Sequence, residues 1–300
     1  MITIRRILCP TDFSVFSRRA LTYALALAKW YEADLTALHV HSLQAPPPTK
    51  LPTYAGPLHL TPHDREILLN ELREFTAPAR IASIPTQNVV VEGDPVAEIV
   101  GRSKDADLLV LGTHGRSGFE RLMLGSVAEK VLRKSTCPVL TVPRQAGGAG
   151  PEEAAVFKHI LCPIDFSKAS LRSLEYALSL AKEADAKLTL VHALDALPEE
   201  APPETLRFDV VGYADYLRRV AGDRLLRLIP EGAREWCRPE VVVPPGKAYR
   251  GILKTAEERQ ADLIVMGVVG RGSLDLLLFG STTEHVVRQA TCPVLSIRAH

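Results

Sequence analysis

The chain has 300 residues, 46% of them apolar and 24% charged, with a formal net charge of +1. That length predicts about two globular domains, and the balance excludes a disordered or fibrous chain. The small net charge supplies no global field for nucleic acid or an anionic membrane, and no apolar run reaches the ~18 residues of a membrane span. The opening MITIRRILCPTDFS has no apolar stretch of signal-peptide length. A cytoplasmic protein without nucleic-acid or membrane partners is therefore expected.

In chain order, RRILCP is a continuous apolar run, as a strand buried on both faces would be. Ser14 follows as a candidate helix N-cap, and Ala20, Leu21, Ala24, Leu25, Leu27 and Ala28 recur with a helical period. LTALHV reads as a second strand. A proline-rich loop (43–62) leads to an amphipathic helix over about 63–83. QNVVVE is a third strand, PVAEIVGRSK a helix, ADLLVLGT a fourth strand, SVAEKVLRK a helix and CPVLTV a fifth strand.

The second half repeats this order. Residues 7–39 and 160–192 are identical at 20 of 33 positions, at a constant offset of 153, and ADLLVLG (106–112) matches ADLIVMG (261–267) at an offset of 155. So long a period means two whole domains rather than a solenoid. The division expected is 1–143, a Gly- and Pro-containing linker over 144–156, and 157–300. Each half is expected to be a flavodoxin-like or Rossmann-like α/β domain, a five-stranded parallel sheet of order 3-2-1-4-5 with helices on both faces. Its ligand crevice lies where the order reverses, beyond the carboxyl ends of strands 1 and 4. Of the five cysteines, Cys9, Cys137, Cys162 and Cys292 precede prolines in apolar runs and read as small buried hydrophobes; none forms a C-x-x-C pair.

The motif that carries chemistry is GTHGRSGFERLMLGS (112–126), written again as GVVGRGSLDLLLFGS (267–281). It resembles a phosphate loop without the lysine. Gly112 ends strand 4 and faces Asp12 at the end of strand 1; the glycine is expected to let the backbone turn with positive φ and a ligand approach. Gly125 and Ser126 open a helix whose unpaired amides and positive dipole end suit an anion. Ser126 can also cap that helix, and Arg116 supplies a cation. Asp12 is placed for a ribose hydroxyl, or for magnesium carried on the phosphates. Turnover lacks a repeated base: His114 is matched by Val269, His285 has no counterpart, Lys247 faces Asp94, and His39 and His192 read as buried strand histidines. No catalytic residue is assigned.

The openings ILCPTDFS, GDPVAEIV and the two glycine blocks resemble the universal stress protein family in its tandem form, over nearly the whole chain. The resemblance implies the ATP-binding branch, defined by G-x-x-G-x9-G-[ST], acting as a nucleotide-dependent stress-response module. It implies Pro10, Thr11 and Asp12 beside the nucleotide, Val40 meeting adenine through its backbone, and Leu111 and Gly112 lining the pocket. Gly115, Arg116, Gly125, Ser126 and Val127 would surround the phosphates. In the second half the matching residues are Pro163, Ile164, Asp165, Ala193, Met266, Gly267, Gly270, Arg271, Gly280, Ser281 and Thr282. A Thr11 hydroxyl contact would be lost at Ile164. The resemblance also implies an intrachain pseudo-dimer made by pairing Val139–Val142 with Val294–Ile297; a homodimer of chains is left open. The alternatives are a slow Mg-dependent ATPase and a scaffold that binds no nucleotide.

Overall fold

The computed structural model describes residues 2–42, 59–113, 124–144, 157–195, 210–237, 239–268 and 280–298. The chain divides into two compact units, Thr3–Ala155 and Val156–His300. The first contains β1 (Arg6–Pro10), α1 (Val15–Tyr31), β2 (Asp34–His41), α2 (Pro62–Phe75), α3 (Ala77–Ile81), β3 (Thr86–Glu92), α4 (Pro95–Ser103), β4 (Leu108–Gly112), α5 (Ser126–Lys134) and β5 (Val139–Val142). All strand pairs are parallel, in the order β3-β2-β1-β4-β5. The direction reverses between β1 and β4, as the alternation of strands and helices requires.

The central strands are apolar throughout because both faces are covered. Leu108, Leu109 and Val110 in β4 are at most 1% exposed. Burying each such side chain contributes about 1.5–3 kcal/mol, so a polar residue there has no compensating site. Helix α1 starts where Ser14 accepts a hydrogen bond from the Ser17 amide (3.2 Å) and stops at Glu32 in a left-handed conformation (φ 51°). The single helix expected over 63–83 is two. Thr76 interrupts it, its hydroxyl bonding Leu72 O (2.9 Å) and Asn88 Oδ1 (3.0 Å), and Pro78 has no amide to continue the ladder.

The second unit contains β6 (His159–Pro163), α6 (Lys168–Ala184), β7 (Lys187–Val191), α7 (Val210–Leu226), α8 (Ala233–Trp236), β8 (Glu240–Val242), α9 (Ala248–Glu258), β9 (Leu263–Gly267), α10 (Ser281–Gln289) and β10 (Val294–Ile297). Its parallel order is β8-β7-β6-β9-β10. The cap of α1 recurs on α6, where Ser167 accepts from the Ser170 amide (3.2 Å). Strand β8 has three residues where β3 has seven. Pro244 and Pro245 follow it, and neither can donate to a ladder. No helix among the described residues is long and apolar enough to cross a membrane.

Candidate functional site

At the carboxyl edge of the first sheet a cavity of about 220 Å³ opens between the ends of β1 and β4. The first strand delivers Pro10, Thr11 and Asp12 to it, β2 delivers Val40, and β4 delivers Leu111 and Gly112. The start of α5 adds Gly125, Ser126 and Val127. Gly115, Arg116 and His114 lie outside the described residues. The stems of the glycine loop are pinned together: the Gly125 amide donates to Thr113 O (2.7 Å), and the Thr113 amide to Val142 O (3.0 Å).

Helices α1, α2, α4 and α6 are capped by side chains, those of Ser14, Thr61, Asp94 and Ser167. Helix α5 is not. Its N-cap is Gly125, which makes no side-chain cap bond, and Ser126 is the first helical residue rather than the cap. The leading amides of an α-helix need an external acceptor, and here the residues that carry them line the cavity. Such an end attracts anions through its donors and its dipole.

Around this edge most polar groups already have structural tasks. Asp12 Oδ1 accepts the Ser14 amide (3.1 Å), forming the turn into α1. The Thr11 hydroxyl donates to Ser17 Oγ (3.0 Å) and accepts from the Phe13 amide (2.9 Å). His39 is buried, and its Nδ1 lies 3.0 Å from Thr11 O. A carbonyl only accepts, so the proton sits on Nδ1. Burial holds its pKa below the ordinary value, with the Thr11 contact opposing.

The second unit repeats the arrangement. Pro163 ends β6, and Ile164 and Asp165 follow it; Ala193 follows β7; Met266 and Gly267 end β9. Gly280 is the N-cap of α10 without a side-chain bond, and Ser281 and Thr282 open the helix. Its amide donates to Val268 O (2.9 Å). Gly270, Arg271 and Val269 lie outside the described residues. Asp165 Oδ1 accepts both the amide (2.9 Å) and the hydroxyl (2.6 Å) of Ser167. His192 Nδ1 donates to Ile164 O at 2.7 Å. Where Thr11 bonds Ser17, Ile164 is simply buried, at 2% exposure.

A match to the universal stress protein family model covers residues 3–143 and again 157–298. The chain belongs to the universal stress protein family. A universal stress protein of Mycobacterium tuberculosis (strain ATCC 25618 / H37Rv) is 29% identical over 296 residues, covering 96% of this chain and 95% of that one. One from Methanocaldococcus jannaschii is 31% identical over 144 residues, 48% of this chain and 83% of its own. The crystal structure of a universal stress protein from Archaeoglobus fulgidus DSM 4304 superposes with a TM-score of 0.66 at 27% identity, covering 98% of both chains. The tandem arrangement is thus shared by full-length relatives of the same family.

Two details of this universal stress protein differ from the sequence reading. Gly112 and Gly267 do not adopt positive φ; among the described glycines only Gly93 and Gly246 do. Their requirement is space for a helix. A Cβ on Gly112 would lie 3.1 Å from Phe16 O in α1, and one on Gly267 2.8 Å from Ala169 C and Ser170 N in α6. In the turns that follow β1 and β6, the residues with positive φ are Phe13 and Phe166, both at 64°. A bulky residue there is strained, and its ring packs on the neighbouring histidine: Phe13 on His39 at 4.5 Å and Phe166 on His192 at 5.0 Å. The identical Asp-Phe-Ser in both halves was the available signal. Cavity-lining Ser17, Pro95, Ile99 and Ala128 had none, because they come from packing between elements. All five cysteines are buried and unpaired; burial pushes Cys9, Cys162 and Cys292 up to about 12. Among the described residues no group of three or more His, Cys, Asp or Glu side chains is placed to hold a metal ion.

Proposed function

We propose that each half binds an adenine nucleotide, ATP, at the carboxyl edge of its sheet, and that the protein is a nucleotide-dependent stress-response module. The observation that carries this reading is the cavity in which strand ends and the side-chain-uncapped start of α5 converge. A triphosphate supplies the acceptors that the leading amides of α5 and α10 lack, and Arg116 and Arg271 supply cations. Pro10, Thr11 and Asp12 border the nucleoside, with Val40 and Leu111 beside the base. In the second half Pro163, Ile164, Asp165, Ala193 and Met266 take these places. Asp12 and Asp165 accept ribose hydroxyls, and any magnesium arrives on the phosphates. The hydroxyl of Thr11 is engaged with Ser17 and Phe13, so its replacement by Ile164 costs the second site little through that group.

Calorimetric titration with ATP, ADP, AMP and cyclic AMP tests the reading. Two ATP sites per chain are expected. Ser126→Glu and Ser281→Glu place a carboxylate at the first helical position, which complements the dipole and leaves stability intact while repelling phosphate. Each single variant is expected to bind one ATP and the double variant none. A wild-type protein that takes up no nucleotide, or a double variant that still binds two, overturns the proposal.

A further inference from the structure

On the outer surface of the first unit, α4 and α5 leave a groove of about 400 Å³ between them. Its apolar surface comes from Val96, Ala97 and Val100, and its rim from three exposed lysines, Lys104, Lys130 and Lys134. Nearby acids are engaged elsewhere: Glu129 pairs with Arg133 (3.3 Å), Glu98 faces Arg102 (3.8 Å), and Asp94 at the far end accepts the Ala97 amide (2.8 Å). Among the described residues lining the groove, Asp94 is the one acid.

The duplication provides an internal control. The corresponding positions on α9 and α10 have Glu257 for Lys104, His285 for Lys130 and Gln289 for Lys134, while Lys247, Arg250 and Lys254 stand for Asp94, Ala97 and Gly101. The same pair of helices therefore forms with its cations at other positions, so the fold does not require lysines at these three. Lysines at helix C-termini gain about 0.3–1 kcal/mol from the dipole, but Lys130 is not in that position and α9 has no basic residue in its last turn. Gly101 leaves the middle of the groove open: a Cβ there would meet nothing within 4 Å.

From this we propose that the groove is a docking site for an extended acidic peptide segment of a partner protein. The nine residues of α4 span about 14 Å, room for roughly four extended residues. Aliphatic side chains would rest on Val96, Ala97 and Val100, and carboxylates would meet Lys104, Lys130 and Lys134, with no acid beside Asp94. Among the described residues lining the groove none is aromatic or arginine, on which nucleobases would stack, and this favours peptide over nucleic acid.

The test is fluorescence anisotropy on the full chain with a short fluorescein-labelled peptide, leucines in its first half and glutamates in its second. Salt-dependent binding is expected. It should weaken at least tenfold in Lys104→Gln/Lys130→Gln/Lys134→Gln, and likewise in Gly101→Trp, which fills the groove sterically. Arg250→Gln/Lys254→Gln in the second groove should leave it unchanged. The two first-groove variants act through charge and through shape, so a folding defect in one leaves the other decisive; thermal midpoints identify it. No binding by the wild-type chain, undiminished binding by either folded first-groove variant, or tighter binding of oligothymidylate through the same lysines would overturn the proposal.

Discussion

Gly267→Ala isolates what the glycine at the end of the fourth strand is for. The added Cβ would stand 2.8 Å from Ala169 C and Ser170 N and 2.9 Å from Ala169 Cβ. Ordinary contact begins at 3.4 Å, and the obstructing atoms are helix backbone rather than a flexible chain end. The first turn of α6 must therefore move by several tenths of an ångström. That movement strains the Ser167 cap and the Asp165 turn that start the helix. Overpacking of this kind costs about 1–3 kcal/mol. Against it, alanine stiffens the unfolded chain and returns about 0.4–1 kcal/mol. The clash wins, with a net loss of ~1–2 kcal/mol and a midpoint about 3–6 °C lower for the second unit. At Gly112 the nearest atom is 3.1 Å away, so the two effects nearly cancel and Gly112→Ala should lie within ~1 kcal/mol of the parent. Differential scanning calorimetry of the parent and both variants makes the comparison. If Gly267→Ala melts with the parent, or Gly112→Ala suffers more, the helix-clearance account is wrong.

Asp12→Asn keeps the amide oxygen that receives the Ser14 N–H but removes the charge. ATP affinity at the first site should fall about three- to tenfold, the difference between charged and neutral hydrogen bonds, with the melting temperature unchanged. Unchanged affinity would remove Asp12 from the nucleotide site. His39 has a folded-state pKa below its ordinary value of 6.5, so the unfolded chain binds more protons beneath that pH. Its contribution to stability is present above about 6.5 and is lost progressively as pH falls from there to the lowered folded-state value. In urea titrations across that window, His39→Gln should flatten the slope; an unaltered slope would show that His39 is solvated. The five thiols should resist iodoacetamide in the folded protein and all react in urea, since the thiolate is the nucleophile and burial disfavours it. Rapid labelling without denaturant would contradict their burial.

Local chemistry made much of the architecture readable in the sequence. Unbroken apolar runs specify strands buried on both faces, Ser14 and Ser167 cap the helices they precede, and the repeated strand-helix alternation leads to a parallel sheet whose order reverses between β1 and β4. Pro10, Asp12, Gly112 and Gly125 could be placed at one edge because strand ends and helix starts are local events. What depended on atoms distant in the chain was not readable. The role of Gly112 and Gly267 is set by how closely a helix from another part of the chain approaches them. The left-handed Phe13 and Phe166 are held by packing against His39 and His192, which overrides their own backbone preference. Thr76 and Pro78 split the expected long helix where Asn88 of a neighbouring strand receives the Thr76 hydroxyl. Periodicity and capping are properties of a few consecutive residues, whereas clearance, strain and groove shape arise only when separate elements are brought to within a few ångströms.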